Sequence, residues 1–387
     1  MFEYALTAGI TACGADAYLL HVTTTPSVSY ITRAEGFDCG VMISASHNPY
    51  RDNGIKLLNS AGEKPQDEMI SLAEEYLNHP FRPDFAKGDK VGRTVDYIEG
   101  RNRYMGYLLS LAKCSYRGKK IGLDCANGSA FHIAPAVFNA LGARVYAVNA
   151  SPNGLNINEN CGSTHAEGLA RFVRENGLDA GFAFDGDADR CICVDEKGQI
   201  VDGDGILYLS ALYLRSRGEW DGEVVTTVMS NGGLEKALAE HGIPSCRVAV
   251  GDRNVYARMR ESGAMLGGES SGHIIYGKYA ATGDGILTAI KVTEAMIEEK
   301  KPLSALLDGY TPLPHVLLNV SVKNKSVALR EDIRQKVAQN SGMGRVLLRP
   351  SGTEPIVRIY CEGESLTDCK ILAEHLKECI LQADGEE

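Results

Sequence analysis

Short apolar strands alternate with helical segments over most of this chain, and that alternation leaves few architectures open. Strand–helix–strand runs build mostly parallel sheets with helices on their faces. "KKIGLDC" at 119–125, the helical "AFHIAPAVFNALG" and the strand "RVYAVNA" form one such run. "LDAGFAFDGDADRCICVD" at 178–195 and "GEVVTTVM" followed by "GGLEKALAEHG" continue the pattern. The expected class is therefore α/β. A chain of 387 residues at about 100–200 residues per domain predicts two to four domains. A polar, Pro-containing stretch from Pro80 to Asp89 precedes a helix expected at Arg101–Leu111, which places a boundary near residue 99. Further boundaries are expected near Val201–Gly205 and Gly309–Pro314. The domains are then 1–99, 100–202, 203–312 and 313–387, the last a smaller α+β unit. The chain opens at Met1 directly into "FEYALTAGITACG", an amphipathic helical pattern ended by Gly14.

The formal net charge of -10 argues against nucleic acid as a partner. An anionic substrate must be held by local cations or backbone amides. No apolar run approaches the length of a membrane span and no basic-then-apolar leader opens the chain, so a cytoplasmic protein without membrane contact is expected. The eleven cysteines are scattered without a CxxC pair. Cys191 and Cys193 share one face of a strand, either as a metal or redox pair or as buried thiols of a reducing compartment.

Four segments carry candidate chemistry. In "GVMISASHNPYRDNGIKLLNSAGEK" (40–64) an apolar strand ends in Ser46, His47, Asn48 and Pro49. Strand ends of this kind gather ligand sites in α/β folds. A serine hydroxyl needs activation or prior phosphorylation to transfer a group, and His47 or Lys56 could exchange a proton with a sugar hydroxyl. A capped turn with a surface lysine is the plain alternative. In "FAFDGDADRCICVD" (182–195), Asp185, Asp187 and Asp189 recur at every second residue. Carboxylates so spaced repel and call for a cation, and hard oxygen ligands suit Mg²⁺. An EF-hand loop would use Asp185, Asp187, Asp189 and Glu196, but Arg190 stands where that loop requires glycine; a polar turn is the other alternative. Arg190 could reach a phosphate oxygen or pair with a carboxylate.

In "GAMLGGESSGHIIYG" (263–277), small residues surround Glu269, Ser271 and His273. A carboxylate and a hydroxyl suit vicinal sugar hydroxyls, though an ordinary loop reads the same. In "RVLLRPSGTEPIVRIYCEG" (345–363), a strand delivers Arg349, then Ser351, Gly352 and Thr353, with Arg358 on the next strand. Hydroxyls, turn amides and guanidinium forks make a phosphate cradle; an isolated turn is the alternative. Arg253, in "VAVGDRNVYARM", either faces the same site or is a surface residue.

The four segments in this order resemble the α-D-phosphohexomutase family, and the hexosamine-phosphate branch of it most. The resemblance runs from Phe2 to about Gly363. It implies three related mixed-sheet α/β domains plus a C-terminal α+β domain around a central cleft. It implies that Ser46 is a phosphoserine whose phosphate, with Asp185, Asp187 and Asp189, holds Mg²⁺. Glu269, Ser271 and His273 would bind the sugar. Arg349, Ser351, Gly352, Thr353 and Arg358 would hold the phosphate that is not reacting, and His47, Lys56, Arg190 and Arg253 would surround the transferring one. The implied reaction interconverts hexosamine 6- and 1-phosphates through a bisphosphorylated sugar, on the way to UDP-N-acetylglucosamine and cell-wall precursors. Glucose or mannose phosphates are the alternative substrates, and a silent phosphosugar-binding protein the alternative function. The resemblance also leads us to expect a segment missing ahead of Met1, with an exposed apolar edge in the first domain.

Overall fold

Strand and helix alternate as the sequence predicts in the computed structural model, which describes residues 1–65, 67–78, 84–220, 222–339, 344–351 and 355–385. The chain divides into two units, one of residues 1–230 and 238–309, the other of residues 231–237 and 310–387.

The first unit begins with α1 (Phe2–Ala12) and β1 (Ala17–Leu19), followed by α2 (Thr25–Glu35). Thr24 caps α2 by accepting a hydrogen bond from Ser27 N at 3.2 Å, and Pro26 sits in its first turn. Both are standard helix-start devices. Strands β2 (Cys39–Ser44) and β3 (Gly54–Asn59) pair antiparallel with Ser44 opposite Gly54, so residues 45–53 form the loop at their tip. Helix α3 (Asp67–Asn78) and strand β4 (Thr94–Asp96) follow, β4 pairing parallel with β1. Helix α4 spans Ile98–Leu111 and begins three residues ahead of the expected Arg101. None of the residues of α1 is buried, and Phe2 and Tyr4 are exposed. Residues 80–83 of the expected linker lie outside the described residues.

The next sheet gathers β5 (Lys120–Asp124), β6 (Arg144–Val148), β7 (Ala180–Phe184), β8 (Cys191–Val194) and β9 (Ile200–Val201), with α5 (Ala130–Ala140) and α6 (Glu167–Asn176) as crossovers. Its order is β6-β5-β7-β8-β9, parallel through β7 and antiparallel beyond. After α7 (Gly203–Ser216), capped by Asp202, a third sheet takes β10 (Val224–Thr227), β11 (Ser245–Val248), β12 (Leu266–Gly268) and β13 (Ile274–Tyr276) in the order β11-β10-β12-β13. Helix α8 (Gly232–Glu240) and helix α9 (Asp252–Ser262) are its crossovers. In both sheets the chain makes the first strand, adds the second on one side, crosses to the other side for the third, and reverses for the fourth. This shared topology is the relatedness expected of these α/β units. Cys191 and Cys193 are fully buried strand thiols.

Helix α10 (Gly285–Glu298) packs on β7, β8, α5 and α7, and every residue from Gly285 to Met296 is buried. It carries a buried ion pair, Lys291 Nζ to Glu294 Oε2 at 2.8 Å. Lys291 also donates to Leu111 O, and Glu294 accepts from Lys113 N, so the pair ties α10 to the end of α4. The short α11 (Leu303–Leu306) closes this unit.

In the second unit, β14 (His315–Ser321), α12 (Glu331–Gln339), β15 (Arg345–Pro350), β16 (Ile356–Glu362) and α13 (Leu366–Gly385) form an antiparallel sheet of order β14-β16-β15 with α13 across it. Val357, Ile359 and Cys361 of β16 meet Leu372, Leu376 and Ile380 of α13 in its core, the α+β unit expected. Among the described residues no helix is long and apolar enough to cross a membrane.

Removing one partner of a buried ion pair strands the other as an uncompensated charge, at a cost of about 3–5 kcal/mol. Lys291→Met is therefore expected to lower stability by about that amount, read as a fall in the urea unfolding midpoint. An unchanged midpoint would contradict the role given to this pair.

Candidate active site

The turn between β7 and β8 carries Asp185, Asp187 and Asp189, all buried, with ligand oxygens that lie within 4.8 Å of one another. Ala188 turns the chain at φ 57°, and its carbonyl accepts from Gly285 N at the start of α10. The flanks are paired strands, which removes the EF-hand alternative; Glu196 instead accepts from Ser304 N and Oγ. Burial, then the charges of Asp189 and Asp187, pushes the carboxyl of Asp185 well above its ordinary range. Burial pushes Asp189 the same way, but Lys56 and His273 outweigh it and hold that carboxyl well below the usual range.

Three elements bring neutralising groups. Lys56 on β3 reaches Asp187 Oδ2 at 2.5 Å and Asp189 Oδ2 at 2.9 Å. Burial alone would lower the pKa of this lysine, yet the two carboxylates raise it, so Lys56 stands as a fixed ammonium. Thr25, at the start of α2, donates from Oγ1 to Asp187 Oδ2 at 2.5 Å and from its backbone N to Asp187 O at 3.0 Å. Arg190 donates its N–H to Asp185 Oδ1 at 3.2 Å, and its Nε lies 4.0 Å from Asp185 Oδ2. Even so, Asp187 Oδ1 and Asp189 Oδ1 are buried without a hydrogen-bond partner. Buried oxygens are seldom left so, and clustered hard oxygen donors fit a divalent cation of the Mg²⁺ type.

Ser46 meets this cluster from the tip of the β2–β3 loop. Its Oγ lies 3.3 Å from Asp185 Oδ2. His47, beside it, is half-buried with Nδ1 unpartnered. Burial first, then Arg190, lowers the pKa of its imidazole below the ordinary value. At neutral pH His47 is thus an uncharged imidazole that can accept a proton, and Lys56 an ammonium that can only donate one.

The β12–β13 loop supplies Glu269, Ser271 and His273. Gly272, at φ 89°, lies where a Cβ would come within 2.3 Å of Cys191 O, so only glycine lets this loop close onto β8. Glu269 Oε1 accepts from Gly251 N at 3.1 Å, and Ser271 Oγ is buried and unpartnered. His273 turns inward: Nε2 accepts from Gly283 N at 3.0 Å and Nδ1 faces Asp189 Oδ1 at 3.7 Å. Both ring nitrogens are taken up by protein groups, a different surrounding from the sugar-facing one expected. Asp252 lies 3.5 Å from His273 Nε2 and 2.6 Å from Lys64 Nζ. Polar contacts therefore run from Lys64 through Asp252, His273 and Asp189 to Lys56. Arg253, exposed at the start of α9, lines a pocket of about 560 Å³ with Lys64, Asp252 and His273.

In the second unit, Arg349 and Arg358 are directly opposite each other on β15 and β16. Like charges so placed repel. Ser351 is buried, donates its N–H to Ile356 O, and has its carbonyl held by Lys325 Nζ at 2.8 Å. Gly352 and Thr353 lie outside the described residues. Thr25, Lys64, Asp252 and Lys325 were not singled out from the sequence. A threonine beside a helix cap, or a lysine in a polar stretch, has no local signature that separates it from ordinary surface.

Family models match four consecutive stretches of the chain. They are the alpha/beta/alpha domain I of phosphoglucomutase/phosphomannomutase at residues 1–81, domain II at 97–198, domain III at 202–313, and the C-terminal domain at 317–377. A phosphoglucosamine mutase of Lachnospira eligens is 55% identical over 377 residues, covering 96% of this chain and 84% of that protein. The phosphoglucosamine mutase of Geobacillus thermodenitrificans is 46% identical over 400 residues, covering 100% and 88%. A solved phosphoglucomutase/phosphomannomutase family protein of Burkholderia thailandensis matches with a TM-score of 0.81 at 24% identity, over 98% of this chain and 86% of that one. The N-acetylphosphoglucosamine mutase of Aspergillus fumigatus, solved with GlcNAc-6P and magnesium, matches with a TM-score of 0.73 at 21% identity, over 98% and 93%. At these identities the solved structures speak for the fold alone. The matches do not show the N-terminal lack that the resemblance led us to expect.

A ligand that binds only the folded state at 100 times its Kd adds about 2.7 kcal/mol of stability. Mg²⁺ at that level is expected to raise the thermal midpoint of the protein, and Asp187→Asn to abolish the rise. An equal rise in the variant would contradict a cation site at the carboxylate turn.

Proposed function

The chain belongs to the α-D-phosphohexomutase family, and we propose that within it this protein interconverts glucosamine 6-phosphate and glucosamine 1-phosphate. The observation that carries the reading is Ser46 Oγ at 3.3 Å from a buried carboxylate triplet that two cationic side chains attend. The two phosphoglucosamine mutases at 46–55% identity point to the substrate.

Phosphoryl transfer needs mainly positioning and neutralisation of charge. Phosphorylated Ser46 gives its phosphoryl group to O1 of glucosamine 6-phosphate, and the O1 proton leaves to His47. The sugar is then a 1,6-bisphosphate. After it turns over, its 6-phosphoryl group passes to Ser46 Oγ and the proton held by His47 passes to the departing O6, leaving glucosamine 1-phosphate and a phosphorylated enzyme. Asp185, Asp187 and Asp189, with the phosphate of Ser46, would hold Mg²⁺, which supplies neutralisation of the transferring group when bound. Lys56 and Arg190 supply further positive charge at the same place. Glu269 and Ser271 would accept and donate hydrogen bonds to sugar hydroxyls. Arg253, in the pocket lined by Asp252 and His273, would meet the transferring phosphate. His273 keeps Asp189 and the Glu269 loop in register. Arg349, Arg358, Ser351 and the adjoining Gly352 and Thr353 would hold the far phosphate, with Lys325 holding the carbonyl of Ser351.

The test offers glucosamine, glucose and mannose 6-phosphates side by side to the protein and to Ser46→Ala. Glucosamine 6-phosphate is expected to lead in kcat/KM by at least about tenfold, a difference of about 1.4 kcal/mol, and Ser46→Ala to fall to background with all three. Preference for glucose or mannose phosphate would overturn the substrate. Binding without turnover by the unaltered protein would overturn the enzyme.

A further inference from the structure

Ser46 adopts a left-handed backbone, φ 51°. A non-glycine residue holds that conformation only where its surroundings over-determine it. Two local bonds close its turn: Ser46 N donates to Ser44 Oγ at 2.7 Å, and Asn48 N to Ala45 O at 2.9 Å. Neither aims the turn at the carboxylates.

The bonds that aim it come from the β5–β9 sheet. Asn158 Nδ2 donates both its hydrogens to the loop, to Ser46 O at 2.8 Å and to Asn48 O at 2.7 Å. Gly186 N donates to the same Ser46 carbonyl at 3.1 Å. Gly186 directly follows Asp185, and a Cβ there would come within 2.5 Å of Ser46 O. The turn that presents the carboxylates therefore also receives the backbone of the serine.

Asn158 is itself fixed. It is buried, sits at φ 58° in the long β6–α6 connection, and donates its N–H to Ala126 O at 2.9 Å. Asp124, at the end of β5, accepts from Ala126 N and from Gly162 N, and so ties the β5–α5 loop to that connection. The chain leaves β5 toward β6 and leaves β7 toward β8, so the loops part above the β5–β7 border. In open α/β sheets that crevice is where a ligand sits. In this sheet the occupant is a peptide turn of the same chain.

We propose that Asn158 is a positioning residue for phosphoryl transfer, and that the switch-point crevice of the β5–β9 sheet is the socket in which it clamps the Ser46 turn. The proposal rests on the reading of Ser46 as the phosphoryl carrier. Asn158 touches neither sugar nor phosphate. It fixes the carbonyls on either side of His47, and so sets where Ser46 Oγ stands over Asp185.

Asn158→Gly suits the left-handed backbone and removes only the clamp. Asn158→Asp keeps the shape but turns an oxygen toward two carbonyl oxygens. Both are expected to lower kcat by about 10- to 100-fold, the scale of a misplaced reacting group, with KM for glucosamine 6-phosphate unchanged, and Asn158→Gly is expected to leave the urea midpoint unchanged. Asn160→Gly, at another left-handed but exposed asparagine in the same connection, is expected to leave kcat and KM as they were. Unchanged kcat in Asn158→Gly alongside an inactive Ser46→Ala would overturn the clamp and leave the carrier standing. A Ser46→Ala that still turns over would overturn the carrier and the clamp with it. A kcat that falls only together with the urea midpoint, in both Asn158 variants, would make the residue structural and overturn the proposal.

Discussion

Three carboxylates buried in one turn cannot remain ionised without cations, and most of the first unit can be read as the response to that constraint. Asp185, Asp187 and Asp189 occupy alternate positions of a tight β7–β8 connection. Burial makes their charge costly, and their closeness makes it costlier. Lys56 comes from β3, Thr25 from the start of α2, His273 from β13's approach and Gly285 from the head of α10. Elements far apart in sequence are fixed relative to one another because each contributes a partner to the same turn. The two oxygens that accept no hydrogen bond, Asp187 Oδ1 and Asp189 Oδ1, are where a divalent cation would complete the set.

That arrangement also separates the two proton-handling groups beside Ser46. Lys56 is locked as an ammonium by the carboxylates it serves, while His47 is held neutral by burial and by Arg190. The sequence places both near Ser46 and offers no way to rank them. The ranking follows from which of them faces the acidic turn, a fact of the β2–β3 register. The inward turn of His273 is of the same kind. A histidine two residues past a loop serine reads as a sugar contact, but its neighbours are Asp189, Asp252 and Gly283 N.

Much of the fold was legible because it is written in local patterns. The strand–helix periods located β5, α5 and β6, and the Asp-x-Asp-x-Asp spacing announced a carboxylate turn before its burial was known. Those patterns say nothing of long-range partners. Asn158 sits in a stretch rich in Asn and Gly that any surface loop could own, and only its contact with a carbonyl 112 residues earlier gives it a role. Thr25 and Lys64 were hidden for the same reason.

The account turns on Ser46 carrying a phosphoryl group above the carboxylate turn. Peptide mass mapping of the purified protein, before and after a single turnover with glucosamine 1,6-bisphosphate, measures that directly. One phosphate localised to Ser46, gained from the bisphosphate and returned on adding glucosamine 6-phosphate, is the predicted result. A preparation that turns over substrate while Ser46 stays unmodified throughout would contradict it.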